Sequence, residues 1–240
     1  MTIPRSLGIA ARRAAVALVV AVAACCAVAA GTLEDVLSRF DRVQESIHTL
    51  SAEFDETTTS DLLLDPITAR GRFYLTKPDA LRWEYSSPEE MRFVIAEDEY
   101  TGYFPERKRA ERRSVQRWSE QIFRFFGVGQ GSAELAKFYD ITLASTHDPA
   151  SGTYLLLLEP AKRRVRKRIP EVRFWLDATT YLPTRIEYRS RNGNTRTIEF
   201  HEITLNPDLA ATLYQVEIPD GVKVTRGFSG LPDFSDDSAQ

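Results

Sequence analysis

Few residues in this 240-residue chain stand at spacings that could do covalent chemistry. His48, His147 and His201 are far apart in sequence, and none has a metal-binding spacing to another ligand type. No Gly-x-Ser-x-Gly elbow is present. Cys25 and Cys26 are the only cysteines, and both fall in an N-terminal stretch that reads as removable. The acids are plentiful but scattered, as charges on strand surfaces normally are. The pattern argues against an enzyme and implies no cofactor and no metal. What remains is the chemistry of apolar contact, and it is densest between Gly71 and Pro88. There Phe73 and Leu75 alternate with polar neighbours, then Leu81, Trp83 and Tyr85 alternate with Arg82 and Glu84. A period of two puts Leu81, Trp83 and Tyr85 on one face of a strand. Whether that face meets a core or a ligand is left open by the pattern.

A second concentration is one of charge. Lys162-Arg163-Arg164-Val165-Arg166-Lys167-Arg168 places six cations in seven residues between Pro160 and Pro170. A run of this kind is ordinarily a solvated loop. The alternative is docking to anionic lipid head groups or to an acidic partner.

The N-terminus bounds where this chemistry would take place. Arg5, Arg12 and Arg13, an apolar run from Ala14 to Ala24 and the small-residue pattern Ala27-Val28-Ala29 read as a cleaved secretory signal over residues 1–30. The apolar run is too short to span a bilayer as a helix. The expected location is therefore the bacterial periplasm. A rival reading takes Val22-Ala23-Ala24-Cys25 as a lipobox, with Cys25 the lipidated first residue. The full chain carries a net charge of −3; removing three arginines and no acids leaves −6. That charge and the compartment together speak against nucleic acid as a partner.

Several elements must position these residues. Thr32 and Asp35 form an N-terminal capping pattern, and Leu33, Val36, Leu37, Phe40, Val43 and Ile47 recur at helical spacing. Such a helix covers one end of a sheet or acts as a movable lid. From Leu50 onward the pattern is strand after strand, with Pro78 at the connection inside the aromatic stretch. Arg107 to Arg113 reads as a wet strand or loop. Trp118 to Gly127 is helix-like, Gly127, Gly129 and Gly131 break it, and Ala133 to Phe138 suggests a second short helix. The glycines are no phosphate-binding loop, since no Lys-Ser/Thr follows. Strands resume from Tyr139 to Leu205, with Arg191-Asn192-Gly193-Asn194 a strong hairpin signal. Without crossover helices this is one antiparallel meander of ten or so strands, which must curl. The organisation expected is a signal over 1–30, one domain over 31–225 and a mobile acidic tail over 226–240.

The opening helix, Gly71-x-Phe73-x-Leu75-x-Lys77-Pro78-x-x-Leu81-x-Trp83-x-x-x-x-Pro88, the later Tyr103-Phe104-Pro105, and Tyr214-x-Val216-x-Ile218-Pro219-x-Gly221-Val222 together resemble the outer-membrane lipoprotein carrier family, LolA. The resemblance implies an unclosed, strongly curved antiparallel barrel of about ten or eleven strands, lidded by short helices. It implies an apolar cavity for acyl chains lined by Phe40, Phe73, Leu75, Leu81, Trp83, Tyr85, Ile122 and Phe126. It implies acylated lipoproteins as cargo, an inner-membrane releasing transporter as donor, an outer-membrane receptor as acceptor, and a monomeric carrier. The family usually has an arginine where Lys77 stands, latching the lid through backbone carbonyls; lysine keeps the charge and loses the planar fork. The Asp-Gly turn expected before Tyr100 is replaced by Glu97-Asp98-Glu99. These departures leave open a relative with another lipid cargo, or a lipid-sensing regulator.

Overall fold

Thr32 starts the first helix as its sequence predicts. Its hydroxyl accepts from the Asp35 N–H at 3.2 Å, and the Asp35 carboxylate accepts from the Thr32 N–H at 3.0 Å. Helix α1, Leu33–Ser46, then turns Val36, Phe40 and Gln44 inward. The computed structural model describes residues 32–116, 130–148, 152–191 and 193–228. The expected signal, the helix-like stretch Trp118–Gly127 with Ile122 and Phe126, and the chain beyond Phe228 lie outside the described residues.

The remaining elements are β1 (Thr49–Thr59), β2 (Ile67–Thr76), β3 (Ala80–Ser87), β4 (Met91–Ala96), β5 (Glu99–Phe104) and β6 (Arg109–Ser114), followed by the short helix α2 (Ser132–Ala136). After it come β7 (Tyr139–Asp148), β8 (Thr153–Pro160), a one-turn helix α3 (Arg163–Arg166), β9 (Glu171–Asp177), β10 (Pro183–Arg189) and β11 (Thr195–Leu205). A 3-10 turn, Ala211–Tyr214, leads to β12 (Lys223–Thr225). The strands form one sheet in the order β12-β6-β5-β4-β3-β2-β1-β11-β10-β9-β8-β7. Neighbours are antiparallel except β12, which lies parallel to β6. The sheet is not closed: β12 and β7 are its two edges.

Twelve strands stand where ten or eleven were expected, and the physical reasons are specific. The arginine-rich stretch read as a wet strand or loop is β6, with Ala110 and Glu111 buried despite their cationic neighbours. Lys223–Thr225 is too short for its alternation to register. Glu97 and Asp98 both take positive φ, at 52° and 59°, so the β4–β5 hairpin keeps a two-residue turn without its usual glycine.

The core lies on one face. Leu50, Ala52 and Phe54 of β1, Phe73 and Leu75 of β2, Leu81, Trp83 and Tyr85 of β3, and Ile198 and Phe200 of β11 are all buried at alternating positions. Burying that many large side chains on one face of a twelve-stranded sheet requires it to curl. Gly71 belongs to this arrangement: a Cβ there would sit 2.0 Å from the Glu84 carbonyl and 2.7 Å from the Phe54 ring. The outer face of β3 and β4 is covered by the 3-10 turn, fastened where Arg82 donates to the Leu213 carbonyl at 2.8 Å and the Thr76 and Tyr214 hydroxyls meet at 2.7 Å.

Strand direction sorts the connections into two ends. One holds the start of β1, the β2–β3 and β9–β10 turns and the exit of β11. The other holds the β1–β2, β3–β4, β5–β6, β8–β9 and β10–β11 connections.

Candidate functional site

The inner face is an aromatic floor. The Trp83 ring lies 4.5 Å from Phe54, 5.0 Å from Phe73 and 6.0 Å from Phe200, in tilted and edge-on geometries that aromatic pairs favour. Tyr85 continues it toward Phe93 at 5.9 Å, and Phe93 stacks on Tyr100 at 6.3 Å. Phe228, in the stretch read as tail, places its ring 4.5 Å from Tyr100. Phe73, Leu75, Leu81, Trp83 and Tyr85 therefore share one face, as their alternation predicts, and Phe40 of α1 is buried in the same cluster. Trp83 is only 2% exposed. The apolar void among the described residues here, lined by Leu50, Ala52, Phe73, Leu182, Pro183, Phe200 and Ile203, measures about 10 Å³, about the room of one water. In this arrangement the floor packs as core.

Helix α1 stoppers the first strand end, and polar groups tie it there. Lys77 Nζ donates to the Gln44 carbonyl in the last turn of α1 at 2.5 Å, and the Lys77 N–H donates to the His48 carbonyl at 2.9 Å. A cation at a helix C-terminus meets carbonyls without intrahelical partners and the negative end of the dipole. Burial holds the Lys77 ammonium below its ordinary pKa, with Glu45 pulling the other way. Asn206 supplies a second tie that the sequence reading missed. Its side-chain oxygen accepts from the His48 N–H at 2.8 Å, and its amide donates to the Ser46 carbonyl at 3.0 Å. Elsewhere on α1, the Asp41 carboxylate accepts from the Ser132 N–H and hydroxyl at 2.5 and 2.7 Å, and Arg39 donates to the Tyr181 hydroxyl at 3.2 Å.

Among the described residues, the second strand end is open and rich in arginine. A pocket of about 360 Å³ is lined by Tyr85, Met91, Phe93, Phe104, Arg107, Arg109 and Arg196. Behind it, buried Glu56 lies 2.6 Å from Arg196 Nε and accepts from the Tyr85 hydroxyl at 2.7 Å. Arg196 also donates to the Tyr85 and Tyr188 hydroxyls, each at 3.0 Å. Burial pushes the Tyr85 phenol well above its ordinary pKa and raises Tyr188 as well. Arg107 grips Glu89 through two nitrogens at 2.7 and 2.5 Å, and Arg109 bonds buried Glu111. A signal for the buried pair did exist: the alternation that buries Leu50, Ala52 and Phe54 carries Glu56 to the same face, and Arg196 precedes Ile198 and Phe200 in the same way.

His48 and His201 do not converge. His201 lies 3.2 Å from Asp55, half-exposed, and His48 sits exposed at the start of β1. No three His, Cys, Asp or Glu among the described residues are grouped to hold a metal. No helix among them is long and apolar enough to cross a membrane.

Fold and site together define a class: an open, curled antiparallel sheet with a helix tied across one end of its aromatic face. Residues 45–217 match the family described as outer membrane lipoprotein carrier protein LolA, and the chain belongs to that family. Among solved structures, an uncharacterized conserved protein from Thermus thermophilus is similar with a TM-score of 0.51 at 13% identity, covering 80% of this chain and 97% of that one. A LolA superfamily protein from Nitrosomonas europaea has a TM-score of 0.41 at 12% identity, with 78% and 98% covered. The lipoprotein LppX of Mycobacterium tuberculosis has a TM-score of 0.45 at 11% identity, with 74% and 99% covered. No curated protein matches the chain.

Proposed function

We propose that this chain is a periplasmic carrier that takes the acyl chains of lipoproteins between α1 and the aromatic floor and moves them from the inner to the outer membrane. The observation that carries the reading is the bond from Lys77 to the Gln44 carbonyl: a few polar ties hold a helix across an apolar face. An acyl chain in water costs about 0.8 kcal/mol per CH₂, so multiply acylated cargo needs such a shield. Loading requires α1 to lift, because the floor is filled by its own side chains when the helix is down. Phe40, Phe73, Leu75, Leu81, Trp83 and Tyr85 would then exchange contacts with one another for contacts with cargo. Ile122 and Phe126 join them by family position alone. In this reading the chain is exported by its N-terminal signal, works as a monomer without a cofactor, and receives cargo from an inner-membrane transporter for an outer-membrane receptor.

The three arginines at the open end favour a second reading, a carrier or sensor of lipids with anionic head groups. A diacylglyceryl-modified cysteine carries no phosphate, whereas a phospholipid does. One titration separates the readings. In a Trp118→Phe, Trp175→Phe background Trp83 is the sole indole. A triacylated peptide should shift its emission saturably, and the unacylated peptide should not. A response to phosphatidylglycerol below its micellar concentration but not to the acylated peptide would favour the second reading. Indifference of Trp83 to both would leave the floor as ordinary core and end the carrier reading.

A further inference from the structure

The second strand end carries a feature that acyl-chain binding does not use. The β1–β2 turn displays Leu62 at 91% exposure and Leu64 fully exposed, with Leu63 and Ile67 partly so. These leucines are held out by a built turn: the Ser60 hydroxyl accepts from the Leu62 N–H at 3.2 Å, and the Ser60 carbonyl from the Leu63 N–H at 3.1 Å. Next to it lies the β10–β11 turn, where a Cβ on Gly193 would stand 2.8 Å from the Asp61 carboxylate. That turn in turn touches the basic segment, since the Arg191 N–H donates to the Arg168 carbonyl at 2.9 Å. Three connections thus form one continuous surface. It carries the six cations of Lys162–Arg168 with Arg189 and Arg191, against Asp61, Asp65, Glu159 and Glu171.

We propose that this surface is a docking face for an anionic phospholipid bilayer. Two chemistries have to be met at once. Exposed leucines at a turn tip gain by entering the acyl boundary of a membrane. Clustered lysines and arginines beside them gain about 1 kcal/mol each near an anionic leaflet. An acidic protein would satisfy the cations but leave the leucines in water. Basic helix α3 is a single turn, too short to insert, so it sits over the phosphates while the leucine turn enters. The Arg107, Arg109 and Arg196 pocket opens at this same strand end, so docking would face it toward the membrane.

The test is co-sedimentation of the protein with phosphatidylethanolamine vesicles containing phosphatidylglycerol, compared with pure phosphatidylcholine vesicles. Native protein should sediment with the anionic vesicles, less so as salt rises. Arg163→Ser, Arg164→Ser and Lys167→Ser combined should lower partitioning about a hundredfold. Leu62→Ser with Leu64→Ser should lower it at least tenfold, and these exposed sites leave folding untouched. A Leu64→Trp variant should gain emission that brominated phosphatidylglycerol quenches. Failure to sediment, or equal binding to both vesicle types, overturns the proposal. So does loss on the charge changes with none on the leucine changes, which would mark a surface for any polyanion, an acidic protein included. No acylated peptide is involved, so this result and the Trp83 titration fail or succeed separately.

Discussion

The two ends of the strands solve opposite problems with different materials. At one, α1 lies across the sheet with Val36 and Phe40 buried, and its polar ties run from Lys77 and Asn206 to its last turn, from Ser132 to Asp41 and from Arg39 to Tyr181. Each polar tie contributes about 1–3 kcal/mol, most where a charge takes part, and each buried apolar side chain adds a similar amount. At the other, buried Glu56, Tyr85 and Tyr188 share Arg196, a largely buried cation that itself lines the open pocket. Buried charges are expensive to separate, so that end keeps its shape while remaining open. The proposed carrier role needs motion at the end held by separable contacts and rigidity at the end held by charge.

Removing one partner of the buried network should have the largest effect. Arg196→Met strands Glu56 in the interior and should cost about 3–5 kcal/mol in urea unfolding. Adding Glu56→Gln should restore part of that loss. A cost below about 1 kcal/mol would mean water reaches the pair and the rigid end is not rigid. Next comes the floor between the two ends. Leu81 is buried between Leu75 and Ile95 in the strand register, and Leu81→Ala should cost about 2–5 kcal/mol. A much smaller value would show that the floor is loosely packed before cargo arrives.

The lid tie should be a smaller term with a functional sign. Lys77→Met should lower stability by about 1 kcal/mol. If the bond exists only with α1 down, the same change should tighten acylated-peptide binding about fivefold, measured by Trp83 emission. Weaker binding would show that Lys77 supports the loaded state instead. A further effect is alkaline. Burial holds the Tyr85 and Tyr188 phenols above their ordinary pKa, so the folded chain keeps protons that the unfolded chain releases near pH 10. Their contribution is whole below pH 10, and stability should then fall as pH rises, by up to about 1.4 kcal/mol per pH unit for each phenol. Tyr188→Phe should make that decline shallower in urea titrations across alkaline pH.

The stoppered end was more legible in the sequence than the open one. Thr32, Asp35 and the spacing of Val36 and Phe40 announce α1 because caps and helical periodicity are local. Leu81, Trp83 and Tyr85 announce the floor for the same reason, and Lys77 was picked out by its place before Pro78 in the family pattern. The open end depends on pairing. Glu56 reads as one more surface acid until Arg196 of β11 arrives beside it. The arginines of β6 read as solvated until β5 and β12 flank them. Asn206 could not be foreseen, since its role requires the ends of α1 and β11 to meet.

The seam between β1 and β11 orders events in time. Strands β2 to β6 and β7 to β11 are each chains of neighbouring hairpins, which form from local contacts. Pairing Thr59 with Thr195 and Leu50 with Leu205 joins segments that are distant along the chain, and such loops close slowly. Lys77 follows β2 and Asn206 follows β11, so the two carbonyl ties on α1 come from opposite sides of that seam. The helix can be fastened at both points only after the halves have joined, so the seating of α1 is a late event in folding.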